Sequence, residues 1–112
     1  MTEQNQRIED VLETQGMYVS TTVGVSMYPM LRDRRDTVVI SPCKGILQKY
    51  DVPLYRRGND YVLHRVIGVK PESYVIRGDN CMKKEEVKEE QIVGVLTSFF
   101  RGNKEINMNG FL

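Results

Sequence analysis

Hydrophobic positions near the start of the chain follow the spacing of an amphipathic helix. Ile8, Val11 and Leu12 fall on one face of residues 3–15, and most charged residues of this segment lie elsewhere. Gly16 follows directly, and glycine commonly ends a helix because it adopts the left-handed conformation without strain. The pattern therefore predicts one short helix that buries a narrow apolar stripe.

From Met17 onward the hydrophobic pattern changes to the alternation that indicates β-strands. The candidate strands are rich in β-branched and aromatic residues and are separated by short turn sequences. They cover residues 18–23, 37–40, 51–56, 61–69, 74–77 and 92–100. Residues 83–90 are predicted to form a loop or a short exposed helix, and residues 103–112 a loose tail. Because Pro53 lacks an N–H, its strand is expected at a sheet edge or with that position facing outward.

One leading helix followed by strands and short turns predicts a mainly β fold, specifically a β-rich α+β fold. The 112 residues are enough for one compact domain. We expect an N-terminal helix within residues 1–16, a β core over residues 17–102 and a tail over residues 103–112.

Composition excludes several classes of partner. Lys and Arg total 16 against 15 for Asp and Glu, so nucleic acid is not an expected partner. No apolar run approaches the ~20 residues of a membrane helix, and the first residues lack a secretory signal pattern. We therefore expect a cytoplasmic protein with no integral membrane segment. Cys43 and Cys81 have the spacing of neither a disulfide framework nor a zinc site, so no cofactor is expected.

Ser26 is the first candidate for chemistry. It lies in the segment GVSMYPML, where Gly24 and Pro29 predict a corner after a strand. At such a corner a side chain and a backbone amide can both face a cleft, as a nucleophile and its oxyanion donor require. The same residues are also typical of an ordinary turn, in which serine is common.

His64, the only histidine of the chain, is the second candidate. A neutral imidazole within reach of a serine hydroxyl can take its proton, because the imidazole pKa lies near neutral pH. Strand alternation would place His64 on the same face as Val62 and Val66, so a packed histidine is the alternative interpretation. Asp79, in the turn RGDN, is the candidate carboxylate that would orient such a base, although the turn alone also explains this motif.

Taken in order, five segments resemble the successive conserved boxes of the S24/S26 serine peptidases, the group of signal peptidase I and LexA-like proteins. The segments are GVSMYPML at 24–31, DTVVI at 36–40, KYDVPLY at 49–55, HRVIG at 64–68 and RGDN at 77–80. Bacterial signal peptidases carry lysine where this chain carries His64. The chain is therefore most similar to the Ser-His type of S26 signal peptidase, without the membrane anchor.

The resemblance implies a LexA/signal-peptidase-like β fold and hydrolysis of a peptide bond through an acyl-enzyme. It implies that Ser26 is the nucleophile, that its backbone amide forms part of the oxyanion hole, and that His64 is the general base. Asp79 is implied as the orienting acid, and Glu85 or Glu86 is the alternative for that role.

The resemblance also implies how substrate binds, since peptidases of this group take a peptide or protein substrate as an added strand. Met27 and Tyr28 lie beside the nucleophile and are candidates for an exposed lip that meets the peptide. Met30 and Leu31 are expected in the core. Some relatives carry a serine oxyanion donor where this chain has Gly24. The alternative to an active endopeptidase is a catalytically inactive peptide-binding module that keeps the fold.

Overall fold

The computed structural model describes residues 7–22, 24 and 26–108 of the chain. Within these residues it contains one α-helix, one short 3-10 helix at Glu89–Gln91 and nine β-strands. The helix and strands are α1 (Ile8–Gln15), β1 (Tyr18–Thr21), β2 (Asp36–Ser41), β3 (Pro53–Arg57), β4 (Asp60–Leu63), β5 (Arg65–Val69), β6 (Ser73–Arg77), β7 (Glu85–Lys88), β8 (Ile92–Arg101) and β9 (Lys104–Asn107). The predicted mainly β fold with one short helix is confirmed.

Two antiparallel sheets make up the fold. The first has the strand order β1-β2-β8-β3-β4, and β9 also pairs with β8. The second has the order β5-β6-β7. The first sheet curls, so that residues of its two outer strands, β1 and β4, line the same cleft.

The chain leaves the first sheet for the second at His64. Strand β4 ends at Leu63 and β5 begins at Arg65, so one residue separates the two sheets. The prediction of a continuous strand over residues 61–69 is therefore wrong. His64 nevertheless contacts Tyr55, which packs in one cluster with Val62 and Val66, as alternation predicts. Because His64 belongs to neither strand ladder, its neighbours are set by how the sheets meet.

Two hydrophobic clusters stabilise the fold, and β3 contributes to both. Leu54 packs in a cluster with residues of α1, β2 and β8. The next residue, Tyr55, packs in the other cluster with residues of the second sheet. Successive side chains of a strand point to opposite faces, so β3 is buried on both sides. This arrangement puts the Tyr55 side chain on the side of the second sheet.

The helix ends where the sequence predicts. Gly16 has φ +81°, and its N–H donates to Leu12 O at 3.0 Å, which closes the last turn of α1. The helix begins at Ile8, so the prediction is wrong at Arg7, whose backbone is extended. The predicted residues 3–6 lie outside the described residues. Within those residues, no helix is long and apolar enough to cross a membrane.

Three other local predictions are wrong, each because pairing with a distant strand overrides the local pattern. Residues 85–88 form strand β7 against β6, and residues 104–107 form β9 against β8 instead of a loose tail. Of the two alternatives for the strand of Pro53, the edge position is wrong, because β3 lies between β8 and β4. The other, an outward-facing Pro53 nitrogen, stays a prediction. Pro53 is accommodated because it is the first residue of the strand. The last predicted residue of the first strand, Val23, lies outside the described residues.

Candidate active site

A cleft of about 310 Å³ lies between the two outer strands of the first sheet. Its walls include residues of β1 and β4, and Ile8 of α1 lines it as well. Core side chains such as Val38 and Leu54 give it an apolar floor. Ser26 also lines this cleft. The cleft therefore brings the predicted nucleophile beside β1 and β4, the two ends of the strand order among the described residues.

The turn that begins at Ser26 is held by a second turn, residues 78–81. Asn80 N–H donates to Ser26 O at 2.7 Å, and Leu31 N–H donates to Met27 O at 3.0 Å. The Ser26 side chain remains partly exposed. The backbone of the predicted nucleophile is thus fixed, and the residue is only partly buried.

Gly78 lies close to both the Ser26 backbone and the His64 ring. A Cβ atom built on Gly78 would lie 2.8 Å from Ser26 O and 3.0 Å from His64 Cδ2. It would also lie 2.8 Å from Cys81 Sγ, so a side chain at this position forces its neighbours apart. Sequence reasoning treated this glycine only as part of a turn. Ser26 and His64 therefore both lie close to Gly78, and there is no room for a side chain at position 78.

His64 does not itself line the cleft within the described part of the chain. No hydrogen bond joins Ser26 Oγ to the His64 ring among the described residues. Catalytic hydrogen bonds are often long before substrate binds. The missing bond between Ser26 and His64 therefore does not exclude a catalytic role for the two residues.

The other edge of the His64 ring faces Tyr55. His64 Nδ1 and the Tyr55 hydroxyl are 3.2 Å apart, and the two rings meet edge to face with centroids 6.2 Å apart. Tyr55 is fully buried, and its hydroxyl donates to the Glu85 carboxylate. The Arg57 guanidinium also donates to Glu85. A chain of polar groups therefore runs from His64 Nδ1 through Tyr55 to an ion pair.

Sequence reasoning missed Tyr55 and Arg57. Tyr55 lies in the segment KYDVPLY and was interpreted only as a strand residue. The available signal is that a buried tyrosine usually has a hydrogen-bond partner for its hydroxyl. That rule does not identify the partner, because Glu85 lies 30 positions away in a strand of the other sheet.

Burial is the main influence on the pKa of His64, and it lowers this pKa from the ordinary value of 6.5. The positive charge of Arg57 acts in the same direction. The negative charges of Glu85 and Asp79 oppose the shift without reversing it. His64 is therefore neutral at neutral pH, which is the state that a general base requires.

Asp79 engages Arg65 with both of its carboxylate oxygens. Arg65 Nε donates to Oδ1 at 2.7 Å, and Nη2 donates to Oδ2 at 2.8 Å. This fork-to-fork pairing gives Asp79 a fixed position. Among the described residues no hydrogen bond joins Asp79 to His64, and the predicted orienting role of Asp79 stays a prediction.

Glu85 and Glu86, the two alternatives for the orienting acid, have different hydrogen-bond partners because successive residues of a strand face opposite sides. Glu85 is connected to His64 through Tyr55. Glu86 accepts from Ser73 Oγ at 2.6 Å and from Lys70 Nζ at 3.3 Å. Glu86 is therefore engaged within the second sheet and has no connection to the ring among the hydrogen bonds of the described residues.

The burial of the residues beside Ser26 differs from the prediction at one position. Met30 and Leu31 are buried, as predicted. Met27 is also buried, and its Sδ lies 3.3 Å from the Asp79 amide nitrogen, although Met27 lines the cleft. Tyr28 is exposed, with the Arg32 guanidinium 5.3 Å from its ring centroid. The predicted exposed lip is thus limited to Tyr28.

No group of three or more His, Cys, Asp or Glu side chains suited to a metal ion occurs among residues 7–22, 24 and 26–108. Cys43 and Cys81 are both free thiols. No protein-family model matches the chain, and no curated protein matches it either. The resemblance to the S24/S26 peptidases therefore depends on the five sequence segments alone.

Proposed function

We propose that this protein is a serine endopeptidase of the signal-peptidase-like type, which cleaves a peptide bond through an acyl-enzyme on Ser26. The observation that carries the proposal is that the Ser26 carbonyl oxygen and the His64 ring both lie within 3.0 Å of the Cβ position of Gly78. The cleft at Ser26 and the lowered pKa of His64 support it further. The five segments that resemble the S24/S26 peptidases provide support from sequence.

In the proposed reaction Ser26 Oγ attacks the carbonyl carbon of the scissile bond while His64 Nε2 takes the hydroxyl proton. The backbone amide of Ser26 donates to the oxyanion of the tetrahedral intermediate. His64 then protonates the departing amine, and the C–N bond breaks to leave an acyl ester on Ser26. Water, deprotonated by His64, hydrolyses this ester and restores the free hydroxyl.

The substrate in this proposal is a peptide segment that binds as an extended strand between β1 and β4. Outer strands offer unpaired backbone N–H and C=O groups, which an added strand can satisfy. The apolar floor at Val38 and Leu54 favours an apolar substrate side chain. The proposal also includes a cytoplasmic location, where free thiols such as Cys43 and Cys81 stay reduced.

The test is turnover of a diverse peptide library by the purified protein, followed by mass spectrometry. Ser26→Ala and His64→Ala are each expected to lower kcat/KM by at least about 10³-fold, because removing one member of a catalytic pair disables the unit. Ser41→Ala is the matched control, since this serine bonds to Thr97 between β2 and β8. Unchanged cleavage products from the Ser26→Ala protein would refute the proposal.

A second candidate function is a catalytically inactive peptide-binding module. It is favoured by the position of His64 outside the cleft lining and by the missing direct bond to Ser26 among the described residues. This alternative predicts that the wild type and Ser26→Ala bind the same peptides equally well and cleave none of them. Binding measured by fluorescence anisotropy, together with the turnover assay, separates the two candidates.

A further inference from the structure

We infer that Tyr55 and Glu85 position His64 for catalysis, and that Asp79 instead supports the turn that carries Ser26. The inference deepens the proposed function and rests on it. It starts from the hydrogen bonds on the Nδ1 edge of the His64 ring.

The first step is the protonation state of Glu85. Hydrogen bonds from Arg57 hold the pKa of Glu85 below its usual value, and Tyr55 acts in the same direction against the effect of burial. Glu85 is therefore a carboxylate at neutral pH. An ionised carboxylate only accepts hydrogen bonds, so the proton between Tyr55 and Glu85 belongs to the tyrosine.

The second step assigns the tautomer of His64. Burial raises the pKa of Tyr55, and so does its bond to Glu85, so Tyr55 keeps its one hydroxyl proton. That proton is donated to Glu85. The Tyr55 oxygen can then only accept a hydrogen bond from His64, which requires a proton on Nδ1. Nε2 is left without a proton and is free to accept one.

The third step is the direction in which Nε2 points. Nε2 is bonded to Cδ2 in the imidazole ring, and Cδ2 lies 3.0 Å from the Cβ position of Gly78, which is itself 2.8 Å from Ser26 O. The bare nitrogen is therefore on the ring edge nearer to Ser26. Tyr55 and Glu85 occupy the opposite edge, as the orienting group of a catalytic triad does.

The charges around His64 favour Glu85 as the group that stabilises the protonated ring. The groups that act on it are Arg57 of β3, Glu85 of β7 and Asp79 of the 78–81 turn. When His64 takes a proton at Nε2, its Nδ1–H remains donated to Tyr55 and no second proton moves. The nearby carboxylate charge stabilises the imidazolium through this fixed hydrogen bond.

Asp79 contributes on the side of the nucleophile. Its carboxylate is bound at both oxygens by Arg65, whose Nη1 also donates to Tyr50 O at 2.9 Å. This pairing anchors the turn from which Asn80 N–H donates to Ser26 O. Asp79 is thus a positioning residue for the Ser26 backbone.

The test uses His64 as the only histidine of the chain, because its ring nitrogens can be observed by NMR without overlap. ¹⁵N-histidine spectra are recorded against pH in the full-length Ser26→Ala protein, which makes the readout independent of turnover. We expect the Nδ1–H tautomer above the pKa. Tyr55→Phe is expected to give a mixture of tautomers. Glu85→Gln keeps an acceptor for Tyr55 and is expected to keep the tautomer while lowering the His64 pKa.

Glu86→Gln is the matched control, since it makes the same change one residue further along β7 on the opposite face. It is expected to leave the tautomer and the pKa of His64 unchanged. In otherwise wild-type protein, Glu85→Gln is expected to lower kcat/KM by about 10- to 100-fold, part of the 10²–10⁴-fold that general base catalysis contributes. The acid limb of its pH profile should move to lower pH, whereas Glu86→Gln should not move it.

An Nε2–H tautomer in the Ser26→Ala protein overturns the inference, and so does a tautomer that Tyr55→Phe leaves unaltered in a folded variant. A fall of the His64 pKa in Asp79→Asn equal to that in Glu85→Gln also overturns it. Absence of turnover in the wild type refutes the proposed function, while the NMR measurements still report whether Tyr55 fixes the ring. The two failures are therefore distinguishable.

Discussion

The two edges of the His64 ring face regions that use similar residues for different purposes. The Nδ1 edge faces Tyr55 and the Arg57–Glu85 pair, and the Cδ2 edge faces the 78–81 turn, which the Arg65–Asp79 pair anchors. Side chains of the first pair are 54% and 34% exposed, and those of the second are 14% and 21% exposed. In the inference drawn above, the more exposed pair stabilises charge on the His64 ring, and the more shielded pair holds the turn that contacts Ser26.

The largest effect expected on the turn side is that of Gly78→Ala. The added Cβ would meet the carbonyl oxygen of Ser26 at 2.8 Å, so the two turns must separate. Because misplacement of a reacting group by about 1 Å can cost 10²-fold, we expect kcat/KM to fall by about 10²-fold or more.

Gly68→Ala is the control for this prediction, because its Cβ would meet Val75 Cβ at an ordinary 3.6 Å. Gly68 lies in β5, away from the 78–81 turn. Peptide turnover and thermal unfolding should be measured for both variants. Full activity in Gly78→Ala would show that the close approach at this residue is not needed.

The second prediction compares how much the Arg65–Asp79 and Arg57–Glu85 ion pairs contribute to the free energy of unfolding. Asp79→Asn is expected to lower the free energy of unfolding by about 1.5–3 kcal/mol, since it weakens two charged hydrogen bonds to a shielded arginine. Glu85→Gln is expected to lower it by no more than about 1 kcal/mol, because the Arg57–Glu85 pair is more exposed. Urea denaturation at pH 7 measures both. A larger loss in Glu85→Gln would reverse the assignment of the two regions.

The smallest expected effect is a shift in the pH dependence of kcat/KM. His64 acts as a base only when neutral, so kcat/KM should fall as pH drops through its pKa, with a midpoint below the ordinary 6.5. Arg57 lowers this pKa, and Arg57→Gln is therefore expected to move the acid limb to higher pH. Lys104→Gln, which removes a positive charge from β9, is the control. A limb that shifts downward in Arg57→Gln would contradict the electrostatic account.

Local pattern predicted much of the fold but failed where strands pair over long distances. The predicted end of α1 at Gly16 depends on the conformation of one residue, and it is confirmed. By contrast, residues 85–88 are charged and resemble a loop, yet they pair with β6 as β7. The strand predicted over 61–69 breaks at His64 because the chain changes sheets there.

Local sequence patterns were enough to predict the mainly β character, the short N-terminal helix, and Ser26 and His64 as the candidates for chemistry. These follow from short-range periodicity, from turn residues and from the scarcity of histidine. The neighbours of His64 follow from long-range packing instead: Gly78 lies near one edge of the ring, and Tyr55, with Glu85 behind it, lies near the other. The physical reason is that periodicity sets which face of a strand a side chain occupies. Which residues meet across two sheets depends on where the chain crosses between them.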